Sequence, residues 1–410
     1  MRRITIVGAG QAGLHLGIGL VQQGYEVTIL SNRTPEQLRD GTVLSSQSMY
    51  DMALSLEREL GIDFWEDNSP KYRAAAMSIA NSAGEVMCEW EGLMDKPGQS
   101  IDQRVKMPVW MAHFEKLGGK LVYVDADIDT LEDYATSSDL LLVASGKGAI
   151  GQMFERDPSK CVFDKPMRIL ALTYVEPMKP RNGPPAISIN INPGIGELVT
   201  FPGLTLSGEC DIFTIECVPG GPMDCWDDVK TPQQHLETSE RLLREFFPRE
   251  AERIDGNLKL TDDRGILRGR ITPTIRKPIG KLPSGALVFG LADAIALNDP
   301  LTGQGSNNAS KCAKIYLDSI LERGGKPFDA EWMQQTFDVF WDYARWPTQY
   351  TNQVLVPPQP HILDIFKAAG RNPQIGYLMA NSFNDPKSIA PWYYDATAAQ
   401  DFLASMAAAA

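Results

Sequence analysis

The sequence predicts an α/β fold with a parallel sheet that binds a dinucleotide, an inserted antiparallel β-sheet and C-terminal helices. Three observations carry this prediction. A glycine turn joins an apolar strand to a helix near the start, short strands between Pro and Gly turns fill the middle, and the end is helical and rich in aromatic residues. At 410 residues the chain is longer than one core usually supports, so we expect two packed units.

The glycine turn is Gly8-x-Gly10-x-x-Gly13, placed directly between a strand at residues 2–7 and an apolar helix. The first glycine permits a tight turn, the second lets the backbone approach a pyrophosphate, and the third lets the helix pack closely on the strand. The helix N-terminus adds positive potential. This order of elements predicts a Rossmann-type dinucleotide site.

The second strand of this unit ends without the acid that usually holds a ribose. The residues found there, Ser31, Asn32 and Arg33, are assigned to the cofactor site. Ser31 or Asn32 can form neutral hydrogen bonds, whereas a carboxylate would form stronger, charge-assisted ones. We therefore expect the cofactor to be held loosely.

A second glycine-rich turn follows a later apolar strand that leads to Asp293. The loop residues assigned to the cofactor are Pro300, Gly303, Gln304 and Gly305. An acid at a strand end can bind a ribityl hydroxyl, and the glycines bring bare backbone N–H groups to the isoalloxazine edge at a helix start. The pattern resembles that of flavoprotein aromatic hydroxylases, so the expected dinucleotide is FAD.

These patterns divide the chain into consecutive predicted units. They are a first part of the FAD-binding domain at residues 1–160, a β-rich substrate domain at 161–260, a second part of the FAD-binding domain at 261–330, and a C-terminal helical region at 331–410. Within the first unit, residues 139–146 are read as a buried strand that ends in a turn of small residues.

Composition excludes several classes of partner. A net charge of -13 argues against nucleic acid and anionic membrane surfaces, which require clustered Lys and Arg. No apolar run reaches the roughly 18 residues that a membrane span needs. The 6 cysteines are scattered without a C-x-x-C pair, and only 4 histidines accompany them. We expect reduced thiols, no metal site and a cytoplasmic location.

The whole chain resembles the epoxidase component of two-component styrene and indole monooxygenases. The matching stretches are residues 8–16, 192–198, 251–255 and 299–310. In that family a separate NADH-dependent flavin reductase reduces FAD and hands it over. The missing acid after Leu30, and the lack of a second G-x-G-x-x-G for NAD(P)H, agree with this implication.

The resemblance also implies the reaction. Reduced FAD (FADH2) and O2 give a C4a-hydroperoxide, which transfers an oxygen atom to the electron-rich double bond of a small aromatic alkene. The implied task of the protein is to keep this chemistry in a dry, apolar cavity. A homodimer is left open as one option.

The segment Ser45-x-Gln47-x-Met49 bears on the substrate. Styrene-type members of the family carry Asn-x-Val-x-His there, and the pattern in this chain resembles the indole type. By resemblance these three residues form the catalytic pocket, where a polar Gln47 could meet the indole N–H. The expected reaction is epoxidation of the C2–C3 bond of indole, leading to indoxyl and indigo. The alternative is that the segment is simply a loop and helix start near the flavin.

Three other functions stay open. The nearest is a styrene monooxygenase that forms styrene oxide. The second is a single-component NAD(P)H-dependent aromatic hydroxylase, which the flavin motifs alone would allow. The third is a protein that binds or stores flavin without catalysis.

Overall fold

The computed structural model describes residues 2–81, 85–145 and 148–408. The strands are β1 Arg3–Val7, β2 Glu26–Ser31, β3 Ser48–Met49, β4 Lys71–Ala80, β5 Val86–Ser100, β6 Lys120–Tyr123, β7 Leu140–Val143, β8 Ile169–Val175, β9 Ala186–Asn192, β10 Gly196–Thr205, β11 Gly208–Cys217, β12 Ile266–Arg270, β13 Thr274–Ile275, β14 Ile279–Lys281, β15 Leu287–Gly290 and β16 Ala296–Leu297. Gly146, at the end of the predicted strand and turn, lies outside the described residues.

The helices follow the same chain order. They are α1 Gln11–Gln22, α2 Pro35–Arg39, α3 Asp51–Leu60, α4 Gln103–Lys116, α5 Ile128–Ala135, α6 Gly148–Gln152, α7 Pro232–Phe246, α8 Pro248–Ala251, α9 Gln304–Arg323, α10 Ala330–Val354, α11 Pro360–Ala369, α12 Pro373–Asn381 and α13 Ala396–Ala408.

The first sheet holds the predicted dinucleotide unit. Its strand order is β14-β15-β7-β1-β2-β6. β1 pairs in parallel with β2 and β7, β7 with β15, and β2 with β6, while β14 is an antiparallel edge. Apolar residues such as Ile4 and Ile6 are fully buried, as expected for strands covered on both faces. The carboxyl ends of four of the parallel strands, β1, β2, β7 and β15, therefore share one edge with both glycine loops.

The second sheet is larger than the sequence predicted. Its order is β12-β8-β11-β10-β9-β4-β5-β3, and its pairs are antiparallel except for the parallel pair of β4 and β9. Since β3, β4 and β5 precede residue 161, and β12 follows residue 260, the predicted range 161–260 covers only part of this sheet. The sheet begins before the predicted boundary because the chain crosses from the first sheet to the second directly after α2, at β3.

The C-terminal helices cover one face of the second sheet. Ile365 of α11 and Met379 of α12 lie in the same buried cluster as Ile189 and Ile212 of the sheet. This arrangement matches the helical region expected at residues 331–410.

The described residues also bear on the expectations for thiols, membrane spans and metal sites. The 6 cysteines, all within the described ranges, are free thiols. Across residues 2–81, 85–145 and 148–408, no helix combines the length and apolar character that crossing a bilayer demands. In the same ranges no group of three or more His, Cys, Asp or Glu side chains could hold a metal ion.

Candidate functional site

The first glycine turn has the geometry of a phosphate-binding loop. Gly8 has a φ of 111°, and its N–H donates to the Leu30 carbonyl at 2.8 Å, which ties the turn to the end of β2. A Cβ added at Gly13 would lie 1.9 Å from the Gly8 oxygen, so only glycine allows α1 to start this close to β1. Gly10 is different, because an added Cβ would meet no protein atom within 4 Å. Packing does not require glycine at this position, whereas a ligand approaching the backbone would.

The residues predicted to hold the ribose lie at the same sheet edge, because β1 and β2 are parallel neighbours. The Ser31 hydroxyl donates to the Arg33 carbonyl at 2.7 Å, so its proton is used within the turn. The Asn32 side chain is exposed. Asn32 is therefore the better placed of the two neutral candidates for a hydrogen bond to a ribose.

Asp293 follows β15 at this edge too, in a short 3-10 turn at Ala292–Ala294. Its side chain is exposed, and Ala292 beside it adopts a φ of 51°. A positive φ is unfavourable for a residue with a Cβ and is concentrated at functional sites. The turn thus holds Asp293 where a cofactor hydroxyl could reach it.

The second glycine loop ends at the start of α9. The Asp299 carboxylate accepts from the Leu301 N–H at 3.1 Å and caps the 3-10 turn at Pro300–Thr302. Gly303 is left-handed with a φ of 67°, and a Cβ there would lie 2.9 Å from the Tyr50 hydroxyl. The glycine therefore serves both the turn and the close approach of Tyr50. The Gln304 side chain is buried, and its Nε2 donates to the Phe383 carbonyl at 2.9 Å and weakly to the Thr302 carbonyl of the loop at 3.5 Å.

One side chain joins this loop to the segment predicted to select the substrate. Asn307 Nδ2 donates to the Ser48 carbonyl at 2.8 Å and to the Gly303 carbonyl at 2.7 Å, and its Oδ1 accepts from the Tyr50 N–H at 2.8 Å. The buried Asn307 amide thus fixes residues 48–50 against the second glycine loop. The site consequently brings together two stretches more than 250 residues apart, as the Tyr50 and Asn307 separation of 257 indicates.

The three predicted pocket residues have different surroundings. Ser45 Oγ accepts from Gln103 at 2.9 Å. Gln47 is buried and has a φ of 41°, which again marks local backbone strain. Met49 packs in a small separate cluster with Ala53 and Leu54. A direct catalytic role for each of the three stays a prediction, and for Met49 the surroundings favour packing beneath α3.

A buried chain of polar groups leads from an ion pair to Gln47. Lys106 Nζ lies 2.5 Å from Glu57 Oε1, and both side chains are 1% exposed. Gln11 Nε2, at the start of α1, donates to Glu57 Oε1 and Ser310 Oγ, each at 2.9 Å. Its Oε1 then accepts weakly from Gln47 Nε2 at 3.4 Å. Gln47 Oε1 is left buried without a hydrogen-bond partner among the described residues.

Sequence reasoning missed several of these residues. Asn307 follows the second glycine loop as G-x-G-x-N, so the motif contained a signal for it. Glu57 and Lys106 gave no signal, because their pairing arises only when α3 packs near α4 and α1. Tyr50 and Tyr72 gave no local signal either, although the Tyr72 hydroxyl lies 2.7 Å from Ser48 Oγ.

The residues at this edge fit FAD. Both α1 and α9 begin at glycines that offer no side-chain cap, which leaves their first N–H groups available to a pyrophosphate and a flavin edge. Glycines at positions 10 and 305 face open space. The buried Asn308 amide and Gln47 Oε1 lack partners within the described residues, as expected where a polar ligand completes the hydrogen bonds.

Comparison with known proteins narrows the class. Residues 146–253 match the family model described as "Styrene monooxygenase A putative substrate binding domain". Styrene monooxygenase StyA of Pseudomonas fluorescens is 29% identical over 397 residues, which is 94% of either chain. StyA of a further Pseudomonas sp. is 28% identical over 394 residues, again 94% of each chain.

The solved structures support the fold. A flavoprotein/dehydrogenase from Cytophaga hutchinsonii matches with a TM-score of 0.68 and 11% identity over 99% of each chain.

The chain described here is thus a flavoprotein monooxygenase, and its cofactor is FAD. More narrowly, the matched domain model and both relatives are of the styrene monooxygenase type, which confirms the predicted resemblance, while the indole subtype is not confirmed.

Proposed function

We propose that this chain is the oxygenase component of a two-component epoxidase that converts a small aryl alkene, with styrene as the first candidate, into its epoxide. The name of the relatives supports styrene, and the observation that carries the proposal is the Asn307 clamp. The Asn307 side chain bonds residues 48–50 to the second glycine loop. The segment predicted to select the substrate therefore adjoins the loop predicted to bind the flavin. Reduced FAD, when bound at the two glycine loops, would supply the two electrons for activation of O2, of which one oxygen atom would go to the alkene and the other would leave as water.

The contribution of the chain is to hold the reactants and exclude water. Tyr50, Tyr72 and Phe201 lie in one buried apolar cluster with Leu301 of the second glycine loop. Such a surface beside the flavin edge lowers the local polarity and disfavours loss of the activated oxygen to water. No acid or base on these residues is needed for oxygen transfer itself, because the cofactor carries that chemistry.

The electrons are proposed to arrive on FAD itself, from a separate NADH-dependent flavin reductase. Two sequence features support this step. The edge of β2 offers Ser31, Asn32 and Arg33 in place of a ribose-binding acid, which favours an exchangeable flavin. The chain has one G-x-G-x-x-G turn, from Gly8 to Gly13, and α1 behind it belongs to the FAD site. The free thiols of this chain agree with a cytoplasmic location.

Indole is the second candidate, and one observation favours it. The Glu57 carboxylate only accepts hydrogen bonds, so the Gln11 amide nitrogen must face it. Gln11 Oε1 therefore faces Gln47 and accepts a hydrogen bond from Gln47 Nε2. Gln47 Oε1 is left as an acceptor without a partner among the described residues. An indole N–H could donate to this oxygen, whereas styrene has no donor.

Exchanging Gln47 for leucine should separate the two substrates. We expect Gln47→Leu to lower kcat/KM for indole roughly fivefold to more than a hundredfold, which corresponds to about 1–3 kcal/mol of transition-state stabilisation, because a polar partner is lost. Styrene turnover should change less. The measurement is product formation with a generic flavin reductase, NADH and FAD. Gln335→Leu, at an exposed position of α10, is the matched control. Equal losses for the two substrates would contradict the acceptor role of Gln47.

The same assay tests the other functions. Styrene oxide formed only when the reductase is present supports the proposed reaction. Prompt flavin reduction by NAD(P)H without any reductase would instead indicate a single-component hydroxylase. Tight FAD binding with no oxygen transfer to styrene or indole would indicate a storage protein.

A further inference from the structure

A group of buried carboxyls lies behind the second glycine loop. β10 and β11 place Glu197 directly opposite Glu216. Arg168, the residue before β8, forms a bidentate ion pair with Glu197 at 2.6 and 2.7 Å. Glu216 is fully buried, and neither of its oxygens receives an N–H from any described residue. Asp299, only 1% exposed, is a further buried carboxyl whose Oδ2 has no hydrogen-bond partner among the described residues, and its charge acts on Glu216.

The face of the second sheet that carries Glu197 and Glu216 packs near the second glycine loop. Val199 and Ile212 alternate in phase with Glu197 and Glu216, and both pack in the buried cluster that includes Leu301. Glu216 therefore sits between the second sheet and the 299–303 turn. It is part of neither predicted cofactor motif.

Charge decides which carboxyl keeps a proton. Two ionised carboxylates cannot face each other out of water, so one of the two groups must be protonated. Asp299 is better suited to be the anion, because its Oδ1 accepts from the Leu301 N–H at 3.1 Å and the Arg168 charge favours it. Glu216 accepts no hydrogen bond from a described N–H group. The guanidinium of Arg168 is already paired with Glu197, which lies opposite Glu216 on the neighbouring strand.

The direction of the pKa shifts agrees with this assignment. Burial, and after it the charge of Asp299, raises the pKa of Glu216 well above its ordinary value. Burial also raises the pKa of Asp299, and the hydrogen bond from Glu216 opposes that rise. Burial raises the pKa of Glu197, with Arg168 opposing it. Asp299, Glu197 and Arg168 are the charged side chains that act on Glu216 within the described part of the chain.

We propose that Glu216 is a positioning residue for FAD: protonated, it donates to the free Oδ2 of Asp299 and so holds the capped turn that presents the second glycine loop. When Glu216 loses its proton, the two carboxylates repel and the turn that Asp299 caps is released. This inference goes beyond the proposed function, since it depends on FAD binding at the loop and not on which alkene is oxidised.

The sign of the pH effect follows from linkage. An acid whose pKa is higher in the folded chain binds more protons folded than unfolded between the two pKa values. Its contribution to stability is fully present below the unfolded value, near 4.5, and is lost as the pH rises through the folded pKa. Both the stability of the chain without FAD and its affinity for FAD should therefore fall with rising pH.

The test compares native chain, Glu216→Gln and Glu216→Leu from mildly acidic to alkaline pH. Glutamine keeps a donor but cannot ionise, and leucine removes the donor. The readouts are the thermal unfolding temperature without FAD and the FAD dissociation constant from quenching of flavin fluorescence. For the native chain the dissociation constant should rise by at most about tenfold per pH unit, the limit for one linked proton.

Glu216→Gln should bind FAD as the native chain does at low pH and hold that affinity at high pH, while Glu216→Leu should bind weakly throughout. Glu209→Gln, an exposed position on the same strand, is the matched control and should keep the native pH dependence. The inference is overturned if native chain and Glu216→Gln lose affinity and stability in parallel as the pH rises. It is equally overturned if a folded Glu216→Leu binds FAD as tightly as the native chain.

Discussion

Replacing Gly13 with alanine should abolish FAD binding and destabilise the chain. The added Cβ would lie 1.9 Å from the Gly8 oxygen, a backbone atom that cannot rotate away. Either α1 must move away from β1 or the turn at Gly8 must open. Overpacking of this kind costs about 1–3 kcal/mol. Thermal unfolding measures the loss of stability, and flavin fluorescence quenching measures the loss of FAD binding.

Two further glycines serve as controls for this experiment. A Cβ at Gly10 meets nothing within 4 Å in the protein, so Gly10→Ala should fold normally and still lose FAD affinity, because the pyrophosphate needs that space. Gly269→Ala, on the exposed strand β12, should change neither property. Full FAD affinity in Gly10→Ala would place the pyrophosphate elsewhere.

Replacing Lys106 with methionine should cost about 3–5 kcal/mol of folding free energy, because it leaves the buried Glu57 charge without its counter-ion. Glu57 lies 2.5 Å from Lys106 Nζ, and neither side chain is more than 1% exposed. Burial lowers the pKa of Lys106, and Glu57 opposes that decrease. Chemical denaturation measures the loss.

Two variants test the reason for that loss. Removing both charges in Lys106→Met/Glu57→Gln should recover most of the stability, because a buried pair replaced as a whole is often nearly neutral. Lys116→Met, at the exposed end of the same helix, should cost at most about 1 kcal/mol. If Lys106→Met were as stable as Lys116→Met, an unpaired Glu57 charge would not destabilise the fold, which would contradict the prediction.

The local backbone geometry of the two glycine turns could be predicted from the sequence, while their role as a cofactor site stays a prediction. The order of strand, glycine turn and helix at Gly8 to Gly13 is a short-range pattern, and α1 begins within it as expected. The loop from Pro300 to Gly305 is another, since it needs glycine where the chain is left-handed. Such motifs can be recognised in a sequence because the local backbone geometry restricts which residue each position accepts.

The buried carboxyls and the early strands of the second sheet could not be predicted from the sequence, because they arise only when distant segments meet. The carboxyl of Asp299, whose charge acts on Glu216, is 83 positions away, and no local pattern distinguishes Glu216 from a solvated glutamate on the same strand such as Glu209. The early crossing into β3, β4 and β5 was missed for a similar reason. The parallel pairing of β4 with β9 joins segments that have no turn between them to signal it.

The most direct test of the central claim, that this chain oxidises an aryl alkene with flavin reduced elsewhere, omits NADH and reductase. Purified chain is mixed with photochemically reduced FAD and styrene, exposed to oxygen-18 gas, and the product is examined by mass spectrometry. The account predicts styrene oxide that contains a single atom of oxygen-18, in an amount limited by the reduced FAD supplied. Styrene left unchanged while the reduced FAD is reoxidised by O2 would contradict it.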